Sequence, residues 1–241
     1  MNTDLASAVE LADNIVAACG QFTEKCDIAI FPPFPYLQAV GHTLGNHNIL
    51  LGAQDVYFQP NGAYTGEVST QMLLDLNVKV VLIGHSERRH VILEGDDLIN
   101  SKLLAVLEAG LSAVLCVGET LAQRDAGETD QVNVSQLTSG LRNVTEKQMQ
   151  RVTIAYEPVW AIGTGKVAKK EDAASAHAVI RQSISDLYSP NIAQQTRIQY
   201  GGSVNAKNAS ELFLESQIDG GLVGGASLDS GQFAAIVQAA I

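Results

Sequence analysis

A glutamate and a histidine, each placed directly after an apolar run, are the residues of this chain best suited to moving protons. Glu157 ends the run Thr153–Tyr156 and opens Pro158-Val159-Trp160-Ala161-Ile162-Gly163-Thr164-Gly165-Lys166. His85 follows Val78–Ile83 and Gly84, and leads into Ser86-Glu87-Arg88-Arg89. A carboxylate held between Tyr156 and Pro158 loses solvent, which raises its pKa towards a value useful to a general base. An imidazole at a neighbouring strand end serves as acid or electrophile. Each has a plainer reading when taken alone: a capping or ion-paired glutamate, a structural histidine. Glu87-Arg88-Arg89 reads most simply as a local salt-bridge cluster.

Two further patterns favour chemistry. Pro158-Val159-Trp160 and Gly163-Thr164-Gly165 flank Ala161-Ile162, a stiff apolar tip between small-residue hinges, which is how a water-excluding lid is built. Glycine turns follow two later runs, as Gly201-Gly202-Ser203 and as Gly224-Gly225-Ala226-Ser227. Successive backbone N–H groups near a helix start hold an anion without a cation. A glycine turn is commonly only steric, but turns after the last two strands stand where parallel barrels often place a phosphate.

Other chemistries find no support. Gly165-Lys166 resembles the end of a P-loop, but Trp160 stands where its first glycine belongs and Val167 where its Ser or Thr belongs. No GxGxxG follows a strand, so dinucleotide binding is not expected. No HExxH or comparable metal pattern occurs, and His42, His47, His90 and His177 are assigned to structure or surface. Cys19, Cys26 and Cys116 have no zinc-ligand spacing and cannot form a full disulfide framework.

The elements that must position these residues alternate along the chain. Strands are expected at Asp27–Phe31, Ile49–Gly52, Val78–Ile83, Ala113–Val117, Thr153–Tyr156, Arg197–Tyr200 and Gly220–Val223. A helix from Leu5 to Cys19, capped by Asn2 or Thr3, comes first, because apolar residues recur there at i, i+3 and i+4. Others are expected at Tyr36–Leu44, Ile99–Ala109, Glu171–Leu187, Ala206–Glu215 and Ser230–Ala239. Val78–Ile83 is nearly continuous in apolar residues, as in a strand covered on both faces. Strict alternation implies right-handed βαβ units and a parallel sheet. Functional groups gather at the carboxyl ends of such strands. Seven strands and a helical start fit either an open sheet or an eight-stranded barrel lacking its first strand. With no composition break or linker, residues 1–241 are expected to form one domain.

A 241-residue chain with 46% hydrophobic residues and a mean hydropathy of +0.09 can bury a substantial core. No run reaches the roughly 18 apolar residues of a membrane span, and no secretory signal is expected at the start. The net charge of −11 argues against a nucleic-acid partner. It leaves room for a small phosphorylated ligand. A cytoplasmic location fits the cysteine usage.

Taken together, these segments resemble the triosephosphate isomerase family over nearly the whole chain. Ala155–Lys166 is very specific to that family, and Gly84–Arg89, Tyr200–Val204, Leu222–Leu228 and Gly52–Asp55 follow in matching order and spacing. The resemblance implies a parallel (β/α)8 TIM barrel that interconverts dihydroxyacetone phosphate and glyceraldehyde 3-phosphate through an enediolate, with no cofactor or metal. The base, the electrophile and the closing lid are inherited from that family, in which they are the standard illustration of these roles. Glu157 would carry the proton and His85 would polarise the carbonyl. The lid would be residues 158–166, with Gly163, Ser203, Gly224 and Gly225 holding the phosphate and Ser86 and Glu87 standing behind the catalytic pair. The family begins with a strand leading into Asn-Trp-Lys-Met-Asn. Met1-Asn2 resembles the end of that stretch, so the strand, its Asn and its Lys lie outside this sequence. Seven strands, an open seam and severely reduced activity are therefore expected. The family's homodimer is expected through the loop Gln54–Val68, although the partner groove would lack the first loop. A non-catalytic relative that binds a phosphate ligand is the competing reading.

Overall fold

The computed structural model of the protein describes residues 1–162 and 168–241. Its centre is one parallel sheet of six strands: β1 (Ile28–Ile30), β2 (Ile49–Ala53), β3 (Val80–Ile83), β4 (Ser112–Val117), β5 (Val152–Tyr156) and β6 (Ile198–Tyr200). They lie side by side in sequence order. That order requires each connection to cross over a face of the sheet, and helices supply the crossovers. The result is a parallel α/β half-barrel of the TIM-barrel type.

Side-chain alternation divides the core in two. All four residues of β3 are buried. Val81 and Ile83 face the helices, within the larger cluster that includes Leu103, Leu107, Leu137 and Ile180. Val80 and Leu82 point inward with Val114, Cys116 and Ala155, where Ala29, Phe31 and Leu222 pack against them. Near-continuous apolar sequence in β3 is thus explained by burial on both faces.

The seventh expected strand, Gly220–Val223, is reduced to one bridge, between Tyr200 and Gly221. Tyr200 N–H donates to Gly220 O and Leu222 N–H to Tyr200 O, both at 2.9 Å, so the segment runs parallel to β6 for one repeat. Gly220, with φ at +152°, and Gly221 add no side chains to pack. Among the described residues no strand pairs the far side of this segment or of β1. The helix layer nevertheless continues across the gap, because the Leu5–Cys19 helix touches both the Leu37–Leu44 and Ser230–Ala239 helices. Asp27 and Arg197, just ahead of β1 and β6, pair at 2.7 Å.

The helices depart from expectation in two informative places. Asp4, not Asn2 or Thr3, caps the first helix: its Oδ1 accepts from Ser7 N–H at 2.8 Å while its own N–H donates to Ser7 Oγ at 2.9 Å. This reciprocal box satisfies two end donors at once, which a single hydroxyl or amide cap cannot do. The helix Thr129–Gly140 has no counterpart among the expected elements. Its inward residues are Asn133, Leu137 and Gly140, so the buried stripe carries hardly any apolar signal. No described helix is long and apolar enough to cross a membrane.

Candidate active site

The tips of β3, β4, β5 and β6 converge on Glu157. After β3 the chain turns at Gly84, whose φ of +70° is a conformation that a side chain would strain. His85 and Ser86 come next, Ser86 as the first residue of a short helix, Ser86–His90. Ser86 N–H donates to Glu157 Oε2 at 3.0 Å, and Ser86 Oγ to Glu157 Oε1 at 3.2 Å. His85 Nε2 lies 3.0 Å from the same Oε1. Glu87 N–H donates to His85 Nδ1 at 3.3 Å, which leaves Nδ1 as acceptor and puts the ring proton on Nε2, facing the carboxylate.

Glu157 is 2% exposed. Burial pushes its pKa up. The facing His85, the Ser86 N–H, the Cys116 thiol and the Ser86 hydroxyl all favour the anion, yet together they do not cancel the desolvation. Cys116, fully buried on β4, is in turn held well above the usual thiol value, first by burial and then by the charge of Glu157. From the β6 side, Gly201 N–H donates to Tyr156 O at 2.7 Å, and a Cβ built on Gly201 would lie 2.8 Å from Glu157 Cγ.

The β4 tip supplies a part not expected from the sequence. Gly118 and Glu119 come directly after Val117, and Glu119 is wholly buried. Its carboxylate accepts from Trp160 Nε1 at 2.8 Å and from the Tyr156 hydroxyl at 3.1–3.2 Å. Arg124 lies 4.3 Å over the Trp160 ring and pairs with Asp172 at 3.0 Å. The first residues of the expected lid are therefore anchored to β4. The strand-tip rule that points to Glu157 points equally to Gly118-Glu119 when it is applied to Ala113–Val117.

The remaining expected site residues divide. Ser86 is buried, and both its N–H and its hydroxyl bond the Glu157 carboxylate. Glu87 contributes its backbone N–H, but its side chain is 73% exposed and its carboxylate lies 4.0 Å from His85 Nδ1, so it does not stand behind Glu157. A helix turns by about 100° per residue, which carries Glu87 outward when Ser86 points in. The salt-bridge cluster exists without Glu87: Arg88 pairs with Glu94 and Asp55, and Arg89 with Asp96. Gly224 and Gly225 are exposed and lead a short 3-10 turn, Gly225–Leu228. A Cβ on either would meet open space, so no neighbour there requires glycine. Ser203 is half-buried, its carbonyl bonded by Asn208 Nδ2 at 2.9 Å. Gly163, with lid residues 163–166, lies outside the described residues. His177 is structural: it is fully buried, holds the Gln217 carbonyl at 3.0 Å, and has its pKa pushed down to about 4 by burial. Among the described residues no three His, Cys, Asp or Glu side chains come together as a metal site.

Fold and site together define a parallel α/β half-barrel of the TIM-barrel class with a buried carboxylate held against an imidazole at its strand tips. The family model described as triosephosphate isomerase matches residues 1–240. The triosephosphate isomerase of Chlorobium phaeovibrioides is 48% identical over 240 residues, covering 100% of this chain and 95% of the relative. That of Chlorobium luteolum is 47% identical over 239 residues, and that of a Thermoanaerobacter species 47% over 238, each covering 99% of this chain and 95% of the relative. The chain belongs to the triosephosphate isomerase family.

Proposed function

We propose that the protein interconverts dihydroxyacetone phosphate and D-glyceraldehyde 3-phosphate. The observation that carries this reading is Glu157, buried, of raised pKa, and facing the Nε2 proton of His85 at 3.0 Å. Glu157 takes a proton from the carbon beside the carbonyl, the electron pair moves into an enediolate, the same carboxyl returns the proton to the adjacent carbon, and the hydroxyl proton passes from its oxygen to the former carbonyl oxygen as the new carbonyl forms. His85 donates its Nε2 hydrogen bond to the oxygen that gains charge. Glu157 must first leave Ser86 and His85, because both its oxygens are engaged as it stands. Gly163, Ser203, Gly224 and Gly225 hold the phosphate, and residues 158–166 close over it.

A cytoplasmic homodimer is the expected setting, with Gln54–Val68 as the exchanged loop. The exposed run Val91-Ile92-Leu93, at 73%, 59% and 79%, supports a covered face.

A coupled assay of glyceraldehyde 3-phosphate turnover tests the reading, on the parent chain, on Glu157→Asp and on a chain carrying the family's first strand with its Asn and Lys. The base role predicts a fall of about 10²-fold or more for Glu157→Asp and a rise for the extended chain. Equal rates in parent and Glu157→Asp, or no turnover even in the extended chain, would overturn it. The second result would favour a non-catalytic phosphate-ligand binder.

A further inference from the structure

We infer that Gln136 is a positioning residue for Glu157 and for the start of the lid, a role that rests on the isomerase reading above. Gln136 lies half-buried on the Thr129–Gly140 helix, remote in sequence from every strand tip. Its side-chain amide pairs with both backbone groups of a single residue, Gly118: Gly118 N–H donates to Gln136 Oε1 at 2.9 Å, and Gln136 Nε2 donates to Gly118 O at 3.3 Å.

The sheet itself creates the need for this clamp. On the β5 side the ladder continues past the end of β4, through Glu157 N–H to Val117 O at 2.8 Å and Val159 N–H to Glu119 O at 3.1 Å. Those bonds use the residues on either side of Gly118. The groups of Gly118 itself point to the β3 side, where pairing has ended at Ile83 with Leu115. Backbone groups left there without water or partner would each cost a hydrogen bond. The amide of Gln136, with one donor and one acceptor side by side, takes the place of the absent strand neighbour.

What is held in this way is the closest backbone approach of the site. A Cβ built on Gly118 would lie 1.8 Å from Glu157 O, so Gly118 and Glu157 are pressed together without intervening atoms. On one side of Gly118 is Cys116, whose thiol favours the Glu157 anion. On the other is Glu119, which holds Tyr156 and Trp160. A shift of residues 116–119 therefore moves the carboxylate and the lid's root together. Among the described residues both side-chain bonds of Gln136 go to Gly118 and neither to Glu157, so its effect falls on the placement of the base and not on ligand affinity.

The test uses Gln136→Leu, which deletes both bonds, Gln136→Glu, which keeps the acceptor for Gly118 N–H, and Thr138→Ala as an exposed control on the same helix. Steady-state kinetics on the full chain are expected to show kcat about tenfold lower for Gln136→Leu, with KM within about twofold and partial recovery in Gln136→Glu. Trp160 is the single tryptophan, so its emission reads the root of the lid without substrate. It is expected to shift in Gln136→Leu and to stay unchanged in Thr138→Ala. A kcat within twofold of the parent, a loss confined to KM, or unchanged Trp160 emission in Gln136→Leu would overturn the inference. If Gln136→Leu does not fold, the same comparison is read on Gln136→Glu. If neither the parent chain nor the chain carrying the family's first strand shows turnover, the isomerase reading falls, while Trp160 emission still decides the part played by Gln136.

Discussion

Replacing Gly118 by alanine adds one methyl group at the point where the β4 tip meets the backbone of Glu157. The new Cβ would stand 1.8 Å from Glu157 O and 2.6 Å from its carbonyl carbon, both main-chain atoms that cannot rotate away. Restoring an ordinary contact near 3.4 Å requires a separation of about 1.6 Å (3.4 less 1.8) between the two tips. The Glu157 N–H to Val117 O bond, now 2.8 Å, would open beyond hydrogen-bonding distance under that shift. The carboxylate travels with its backbone. A misplacement of about 1 Å costs roughly 10²-fold in rate, and overpacking costs about 1–3 kcal/mol of stability. Gly118→Ala is therefore expected to remain folded, to melt at a lower temperature, and to lose about 10²-fold or more in kcat/KM. Gly95→Ala, where the added Cβ meets nothing within 4 Å, is the matched control and is expected to keep the parent rate. A folded Gly118→Ala variant within fivefold of the parent would refute the claim that this contact fixes the base.

Glu157→Gln is expected to raise the melting temperature at neutral pH while abolishing turnover. Because the folded pKa of Glu157 is raised, its stabilising contribution is fully present below the unfolded value near 4.5 and is lost as pH rises through the folded value. The glutamine variant's advantage should thus shrink as the pH falls towards 4.5, and melting curves in a pH series would show it; an advantage independent of pH would contradict the assignment. Lys102→Met removes the cation shared by Asp55 and Glu94, all three side chains being at most 6% exposed. Two buried carboxylates then share only Arg88, and urea denaturation is expected to show a loss of about 3–5 kcal/mol. A loss below about 1 kcal/mol would mean that the network is dispensable.

Much of the site was legible because each tip residue sits immediately after its strand, so a linear rule finds it. The rule singles out Glu157 and His85, and the structure places these two side chains 3.0 Å apart with Ser86 beside them and Trp160 held at the β4 tip. Three features were not legible. The outward turn of Glu87 depends on where the Ser86–His90 helix begins, and one residue of offset reverses which side chain points in. Gln136 is one of two glutamines on a polar helix; its partner is the backbone of Gly118, which no side-chain pattern can announce. The segment Gly220–Val223 reads as a strand on composition, but a strand is a pairing and only β6 stands beside it. Six of the seven expected strands formed, with ends within two residues of expectation, because their apolar runs are buried whichever topology holds. The first helix's cap was misread by one or two positions for a related reason, since Asp4 outcompetes its neighbours only through Ser7 three residues later.

The two strand edges left unpaired among the described residues, along β1 and along Gly220–Val223, give the molecule a colloidal character that its site does not reveal. Open backbone edges are templates for pairing with other chains. At neutral pH every molecule carries a net charge of −11, so two edges must approach against mutual repulsion. That repulsion vanishes near pH 4.8, the sequence isoelectric point, and is screened by salt over about 10 Å at 0.1 M. Mild acid and high salt thus remove the same barrier, and acidic residues far from Glu157 oppose edge-to-edge pairing.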